Sequence, residues 1–276
     1  MSSAAVATRL YIAADLSEGI EIGLDHARAH YLRSVLRLER GAAVAIFNER
    51  DGEWLARIAA LGRGFCALAV ETRLRAPGPT PDLWLVFAPI KRARIDFVAE
   101  KATELGCAVL QPVLTRYTAV SRVNCERLAA NAREAAEQCG RLSVPEVRAP
   151  VALDALIAHW PRERRVLLCA ETGQARPIAE VLAGLRPGGT CAGPAPGSEG
   201  SGGDPEPWAV MTGPEGGFAE TELDALRQLP FVIPVGLGPR LLRADTAAIA
   251  ALACWQAWLG DGWMRPPGRA EPFVAP

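Results

Sequence analysis

Lysine is almost missing from this chain of 276 residues, because 28 of its 30 basic residues are arginine and only Lys91 and Lys101 are lysine. Arginine suits bidentate contact with phosphate, but a compositional bias of the source genome explains the same skew equally well. The formal net charge is -1, so no global field attracts a polyanion. A polyanion would have to bind through local arginine clusters.

Paired cysteine and histidine motifs are absent as well. The seven cysteines are scattered singly without a C-x-x-C, and the three histidines form no H-E-x-x-H. We therefore expect free thiols instead of a disulfide framework, and no bound metal.

The sequence also lacks a long apolar run. The best candidate for a membrane span, 247–259, is rich in alanine and contains Gln256. It falls short of the roughly 18 apolar residues that a span needs. The N-terminus has no basic segment followed by an apolar one. We expect a cytoplasmic protein without membrane contact.

The apolar content of 50% provides ample material for a core, and the length favours two domains. Short β-prone runs broken by glycine occupy 9–13, 43–47, 53–58 and 66–72. This pattern predicts a small β-barrel over residues 1–76. The boundary follows at 76–81, where three prolines interrupt any helix or strand.

One helix is predicted within this first domain, over residues 27–38. Leu32, Val35 and Leu36 would share its buried face. Arg33 and Arg37 lie four residues apart and would therefore sit together on its surface.

From Leu83 onward, strands alternate with helices, which predicts an α/β domain over 82–262 with a mostly parallel sheet covered on both faces. Gly106 ends the first helix and Asn124 caps the second. The predicted strands are 83–90, 109–114, 166–170, 209–212 and 231–235, and the predicted helices are 95–105, 124–139, 177–185, one from about 220, and 244–259.

Two segments have little apolar content. Residues 187–207 consist mostly of Gly, Pro, Ser and acidic residues and cannot repay the entropy cost of ordering. We expect a disordered surface insertion there and a loose tail over 263–276.

A glycine-rich turn follows the strand at 209–212, with the sequence TGPEGGF from Thr212 to Phe218. Loops at the carboxyl ends of parallel strands are where α/β proteins bind ligands, and glycine lets the backbone approach a ligand closely. A tight turn without a ligand is the alternative. There is no G-x-x-x-x-G-K-[ST] motif, and Gly236-Leu237-Gly238 lacks the third glycine of a dinucleotide site.

A second such turn, GLGPRLLRADTA, runs from Gly236 to Ala247. Arg240 and Arg243 would lie at the carboxyl edge of the sheet, where they can hold phosphate or polarise a base. Asp245 or Thr246 can cap the next helix and pair with these arginines, which is the purely structural alternative. Because the sequence has no G-x-S-x-G elbow, nucleophilic hydrolysis by serine is disfavoured.

These motifs resemble those of a known family. The strings that carry the resemblance are GPEGGF with its E-x-E, LGPRLLRADTA, EKATELG at 100–106, Gln111-Pro112, EAAEQCGRLSVPEV at 134–147 and HYLRSVLR at 30–37. They are similar to the motifs of the RsmE family of 16S rRNA uracil-N3 methyltransferases, in the SPOUT superfamily. The resemblance covers nearly the whole chain. It implies a trefoil-knotted α/β domain, an N-terminal PUA-like β-barrel and a homodimer.

The resemblance also implies a cofactor, S-adenosylmethionine, held by backbone groups of three loops. Carried over to the matching positions, the cofactor-binding candidates are Cys169, Ala170, Glu171, Thr212, Gly213, Pro214, Glu215, Gly216, Gly217, Gly236, Leu237, Gly238, Leu241 and Leu242.

The implied reaction transfers a methyl group to N3 of a uridine in the 16S rRNA of the small ribosomal subunit. A cation beside the uracil oxygens would stabilise the developing anion. Arg243 is the first candidate for this role and Arg240 the second, while the base is unassigned. The surface residues expected to contact the rRNA backbone are Arg9, His30, Arg33, Arg37, Lys91 and Arg94.

Two positions depart from the family pattern. Ala219 stands where Ser usually opens the helix, so we expect the capping box with Glu222 to be lost. Asp245 replaces the usual Glu.

Two further functions stay open, a ribosome-assembly factor that binds RNA without turnover, and an RNA methyltransferase of the same superfamily with another target position.

Overall fold

The computed structural model describes residues 6–120, 122–170, 175–185 and 206–264, except for the side chains of residues 92 and 93. Its described residues form two compact units, one of 6–79 with 136–144 and one of 80–135 with 145–264. The first unit thus includes 136–144, which the sequence analysis placed in the second domain. Glu171, most of the insertion at 187–207 and most of the tail lie outside the described residues.

The first unit contains a five-stranded sheet in the order β1-β3-β4-β5-β2, in which β1 is parallel to β3 and the other pairs are antiparallel. Its strands are β1 (Arg9–Tyr11), β2 (Glu21–Leu24), β3 (Ala43–Asn48), β4 (Gly52–Gly62) and β5 (Phe65–Arg75). Alternating residues such as Val44, Ile46, Ile58 and Leu68 are fully buried. The four predicted strands are confirmed. The prediction missed β2, a strand of only four residues.

The helix of this unit is shorter than predicted. Helix α1 (His26–His30) begins at Asp25, whose side chain accepts from the N–H of Arg28. It continues as a π-helical turn (Tyr31–Val35), a rare element that often occurs at functional sites. The single helix over 27–38 is therefore wrong beyond Val35.

Two expectations about the residues of this helix are wrong. Arg37 has a φ of 54°, outside the right-handed helical region, so the four-residue spacing does not place it beside Arg33 on a helix surface. Val35 is 60% exposed and does not share the buried face of Leu32.

Arg9 explains why residues 136–144 belong to the first unit. Its guanidinium donates to a carboxylate oxygen of Glu53 and to the carbonyls of Ala136, Glu137 and Arg141. Helix α3 (Cys125–Cys139) ends here, and the last carbonyls of a helix have no partner within it. Arginine has enough donors, in a fixed planar fork, to satisfy several of them at once.

The second unit contains an eight-stranded sheet with every pair parallel, in the order β11-β13-β10-β12-β6-β7-β8 with β9 beside β7. Its strands are β6 (Leu83–Phe87), β7 (Val109–Leu114), β8 (Glu146–Val147), β9 (Val151–Ala152), β10 (Arg165–Cys169), β11 (Arg176–Pro177), β12 (Trp208–Thr212) and β13 (Val232–Gly236). Its other helices are α2 (Arg92–Glu104), α4 (Leu153–Ala158), α5 (Ile178–Leu185), α6 (Glu220–Arg227) and α7 (Ala244–Trp258).

Both faces of this sheet are covered. Every residue of β6 and β12 is buried, and successive side chains of a strand point to opposite faces. Leu153 of α4 and Leu223 and Leu226 of α6 belong to one core cluster with the sheet, while α7 packs against β12, α2 and α5. The predicted α/β class and parallel sheet are confirmed.

The predicted helix boundaries in this unit are close to the observed ones. Gly106 has a φ of 79° directly after α2, and the Asn124 side chain accepts from the N–H of Arg127 at the start of α3. The prediction missed the strands β8, β9 and β11, because two-residue strands leave no periodic pattern. It also missed α4, a helix of only six residues. The trefoil knot stays a prediction, since strand order does not define how the chain threads.

No helix in the described part of the chain is long and apolar enough to cross a membrane. The six described cysteines are free thiols.

Candidate active site

The site is built from the carboxyl ends of three adjacent strands. β10 lies between β12 and β13, and the ends are in register, with Cys169 opposite both Thr212 and Val235. The loops that leave these strands therefore meet at one edge of the sheet, the usual ligand position in open α/β folds.

A cavity of about 810 Å³ opens between these loops, within the range of roughly 300–1,000 Å³ typical of small-molecule sites. Every predicted cofactor-binding residue except Glu171, which lies outside the described residues, lines this cavity, and so do Arg240 and Arg243. The structure thus brings together residues that are up to 74 positions apart in the sequence, from Cys169 to Arg243.

Glycine is required at several places in the lining. Gly217 and Gly238 have φ values of 70° and 98°, which other residues rarely adopt. A Cβ added at Gly213 would lie 3.1 Å from the ring of Phe218, and one at Gly236 would lie 3.3 Å from the carbonyl oxygen of Ala175. The cavity wall is therefore made largely of closely packed backbone.

Cys169 is a half-buried residue at the end of β10 that lines the cavity. Burial, together with the neighbouring Cys254, raises the pKa of this thiol from 9.0 to about 12. The group is therefore protonated at neutral pH and is no nucleophile, because thiolate is the reactive form.

Arg240 and Arg243 are the cations of the site. Both are exposed side chains on the cavity lining, and neither forms an ion pair with a residue in the described part of the chain. Their guanidinium groups are available to a ligand.

Asp245 does not act as the sequence suggested. Arg243 precedes helix α7 and provides no side-chain cap, and Asp245 accepts from the N–H of Thr246. Its other oxygen lies 3.8 Å from Nε of Arg94 in α2. The structural alternative, in which Asp245 or Thr246 caps the helix and pairs with Arg240 or Arg243, is therefore not observed, because the Asp245 carboxylate faces α2.

The predicted loss of the capping box at α6 is only half right. Ala219 offers no acceptor, but Glu222 still accepts from the N–H of Ala219 at 2.9 Å. Its other oxygen accepts from the N–H of Arg116 at 2.8 Å. Glu222 therefore ties the start of α6 to the turn that follows β7.

Within the described residues, no group of three His, Cys, Asp or Glu side chains is placed to hold a metal ion.

Comparison with known proteins agrees with this architecture. A family model described as an RNA methyltransferase domain matches residues 77–256, and one described as an RNA methyltransferase PUA domain matches residues 24–71. A ribosomal RNA small subunit methyltransferase E from Rickettsia conorii is 30% identical over 249 residues, which cover 89% of this chain and 93% of that protein. The chain belongs to the ribosomal RNA small subunit methyltransferase E family. The RsmE resemblance inferred from the motifs is thereby confirmed.

Two further proteins are similar to this chain. The protein of the same name from Synechocystis sp. is 30% identical over 254 residues, which cover 91% of this chain and 78% of that one. A putative methyltransferase from Legionella pneumophila, solved in complex with S-adenosylmethionine, has a TM-score of 0.76 at 26% identity, covering 91% of this chain and 97% of that chain.

A small subunit methyltransferase E from Neisseria gonorrhoeae, solved bound to S-adenosylmethionine, also has a TM-score of 0.76, at 23% identity, and covers 92% of this chain and 98% of that chain. At this identity the likeness shows the fold. The SPOUT-type α/β domain and the PUA-like domain expected of an RsmE protein are confirmed.

The predicted RNA-contacting residues of this RsmE protein fall into two groups. His30, Arg33 and Arg37 are exposed on the first unit, directly before, within and shortly after the π-helical turn. Lys91 is exposed at the start of α2 in the second unit, where Arg94 lies near Asp245. Their role in RNA binding stays a prediction.

Arg9 is a correction to this set. Its side chain is only 13% exposed, and its guanidinium lies 4.3 Å from the centre of the Phe47 ring and binds Glu53 and the end of α3. Arg9 is therefore a structural residue of the first unit and not the surface residue that the sequence analysis expected.

The sequence analysis missed part of the site. The further residues that line the cavity are Ala175, Phe218, Leu223, Val235, Pro239, Ala244 and Ala247. Phe218 stands in the GPEGGF string itself, so the motif carried a signal for it. The others are small or apolar residues, which sequence patterns do not distinguish from ordinary core.

Proposed function

We propose that this protein transfers a methyl group from S-adenosylmethionine to N3 of a uridine in the 16S rRNA of the small ribosomal subunit. The observation that carries the proposal is the single cavity in which the three family loops converge. The names of the relatives from Rickettsia and Synechocystis support the substrate, and the bound ligand of the Legionella protein supports the cofactor.

The residues of the cavity fit S-adenosylmethionine. Adenine is uncharged, and it can be recognised by the N–H and C=O groups of glycine-rich turns together with apolar side chains such as Leu237 and Leu242. The loops from Gly213 to Gly217 and from Gly236 to Leu242 would hold the cofactor. When bound, the cofactor supplies an electrophilic methyl group on its sulfonium.

The protein's own contribution is to position the uracil and to stabilise charge. N3 of uridine carries a proton that is lost before or during attack, and the resulting negative charge spreads onto the two neighbouring uracil oxygens. Donors placed beside these oxygens lower the barrier because they are already oriented when the charge develops. Arg243 is the first candidate for this role, with Arg240 second, since both are free of ion pairs with described residues and line the cavity.

N3 lies on the Watson–Crick edge of the base, so the target uridine has to be unpaired or flipped out of a helix. The exposed residues His30, Arg33 and Arg37 of the first unit would contact the rRNA backbone, since phosphate contacts set the position of a protein on its substrate.

The assembly that we propose is a homodimer, in which a second copy completes the cleft. The supporting observation is that Leu241 lines the cavity but is 86% exposed in one chain, so that a second copy packed there would bury its apolar surface. Because small ribosomal subunits are found in the cytoplasm, we propose that the protein acts there.

The test is incubation of the purified protein with labelled S-adenosylmethionine and unmodified small subunits, followed by nucleoside analysis of the rRNA. We expect 3-methyluridine. A methyl group at another position would identify an RNA methyltransferase with a different target. Cofactor binding without transfer would favour the assembly-factor function.

The roles of the two arginines are separable in the same assay. Replacing Arg243 with alanine should lower kcat by about 100- to 1,000-fold, the usual loss when one donor to a developing oxyanion is removed. The effect of Arg240→Ala should be smaller. Affinity for S-adenosylmethionine, measured by calorimetry, should stay within about twofold in both variants; loss of cofactor binding in Arg243→Ala would assign that residue to the cofactor instead.

A further inference from the structure

An exposed aromatic residue lies beside the glycine-rich loop of the site. Tyr117, in the turn after β7, is 52% exposed. Its Cβ lies 3.5 Å from the position that a Cβ on Gly216 would occupy, so the residue contacts the same loop that lines the cavity. An exposed tyrosine ring offers a large apolar face to a partner, and tyrosine is enriched at binding interfaces because its hydroxyl can stay in contact with water.

The turn that carries Tyr117 is held in place on both sides. Within the turn, the N–H and hydroxyl of Thr115 both bond to the hydroxyl of Thr118, and the N–H of Thr118 donates to the carbonyl of Thr115. Glu222 then fixes the N–H of Arg116 to the start of α6. The backbone position of Tyr117 is therefore set relative to the GPEGGF loop before any ligand binds, and little ordering entropy is lost on binding.

Positive charge lies next to Tyr117 in the sequence and on the cavity that Gly216 lines. Arg116 is exposed next to it and forms no ion pair with a described residue, and Arg240 and Arg243 are exposed on the cavity lining. This combination is typical of sites for single-stranded nucleic acid, in which aromatic rings stack on bases and cations contact the backbone.

We propose that Tyr117 stacks on the target uracil at the mouth of the cavity. The inference rests on the proposed function, because it takes an unpaired uridine as the substrate. A base that leaves its helix loses the stacking energy of its neighbours, and the ring of Tyr117 replaces part of that energy. Tyr117 would thus be a substrate-binding residue for the flipped base, while Arg116 faces the adjacent phosphate.

The first test compares three variants of the full-length protein, acting on small ribosomal subunits. Tyr117→Ala should lower kcat/KM by about 5- to 150-fold, which is the stacking contribution of about 1–3 kcal/mol per base expressed as a rate ratio. Tyr117→Phe keeps the ring and should restore most of this loss. Phe97→Ala is the matched control, since Phe97 is an aromatic residue of α2 that is 43% exposed away from the cavity lining.

Two readouts separate stacking from a structural effect. The affinity for S-adenosylmethionine and the Tm of Tyr117→Ala should stay near those of the parent protein. If Tyr117→Ala methylates as fast as the parent, or if Phe97→Ala loses as much, the stacking proposal is wrong while the proposed function stands. If the parent protein itself forms no methylated uridine, the proposed function fails first.

The second test needs no variant. An RNA fragment carrying 5-iodouridine at the methylated position is bound to the parent protein and irradiated, and the cross-linked peptide is identified by mass spectrometry. We expect the cross-link on Tyr117, because halogenated uracil couples to a stacked ring. A cross-link confined to residues outside the turn 115–118 would overturn the proposal.

Discussion

Replacing Glu222 with alanine should destabilise the second unit by about 2–3 kcal/mol. The carboxylate accepts two backbone N–H bonds, from Ala219 and from Arg116. The bond to Ala219 is partly buried at a helix start, so its loss should cost about 1.5–2 kcal/mol. The bond to Arg116 is exposed and water can replace it, so we assign it about 0.5–1 kcal/mol.

Differential scanning calorimetry of the full-length protein measures this effect. For a unit of this size, each kcal/mol corresponds to a change in Tm of about 2–4 °C, so Glu222→Ala should lower the Tm by about 4–12 °C. Glu222→Gln is the control, because it keeps one carbonyl oxygen as an acceptor and should lose about half as much. Ala219→Ser should raise the Tm by completing the capping box, since Ala219 already has the extended backbone of an N-cap, with φ -66° and ψ 150°.

A Tm of Glu222→Ala within 1 °C of the parent value would refute the reasoning. It would mean that the helix start and the turn after β7 are held by packing alone. The same variant is informative for Tyr117, because loosening the turn should lower kcat/KM for RNA while leaving the affinity for S-adenosylmethionine unchanged.

Two further predictions concern groups whose role the structure reassigns or limits. Arg9→Lys should destabilise the first unit by about 2–4 kcal/mol, because lysine cannot reproduce the guanidinium fork that binds Glu53 and the end of α3. The salt dependence of RNA binding by folded Arg9→Gln, which loses the positive charge, should match that of the parent, and a shallower salt slope in this variant would restore Arg9 to the RNA-contacting set. The pKa of Cys169 is raised to about 12 in the folded protein. Between pH 9 and 12 the thiol therefore ionises in the unfolded chain but not in the folded one, which favours unfolding. The free energy of unfolding of the parent relative to Cys169→Ala should be constant below pH 9 and fall between pH 9 and 12. Urea midpoints over this pH range measure the difference, and a constant difference up to pH 11 would contradict the raised pKa.

Arg9 shows why sequence could not separate structural from substrate-binding cations. An arginine at the start of a strand has the same local pattern in both roles, and only the position of residues 136–141 decides between them. Arg94 raises the same question, since its nearest acidic group, Asp245, is 151 positions away in the sequence.

The sequence alone determined the family, the α/β class, the order of the main strands and helices, and the loops of the site. These follow from local signals, namely apolar periodicity, the glycines at positive φ and the motif strings, each of which is written in consecutive residues. The tertiary structure decided the features that depend on residues far apart in the chain: the inclusion of 136–144 in the first unit, the orientation of Asp245 toward α2, the half capping box of Glu222 and the place of Tyr117 beside Gly216. Such contacts depend on which strand ends become neighbours in the sheet, and no local preference specifies that.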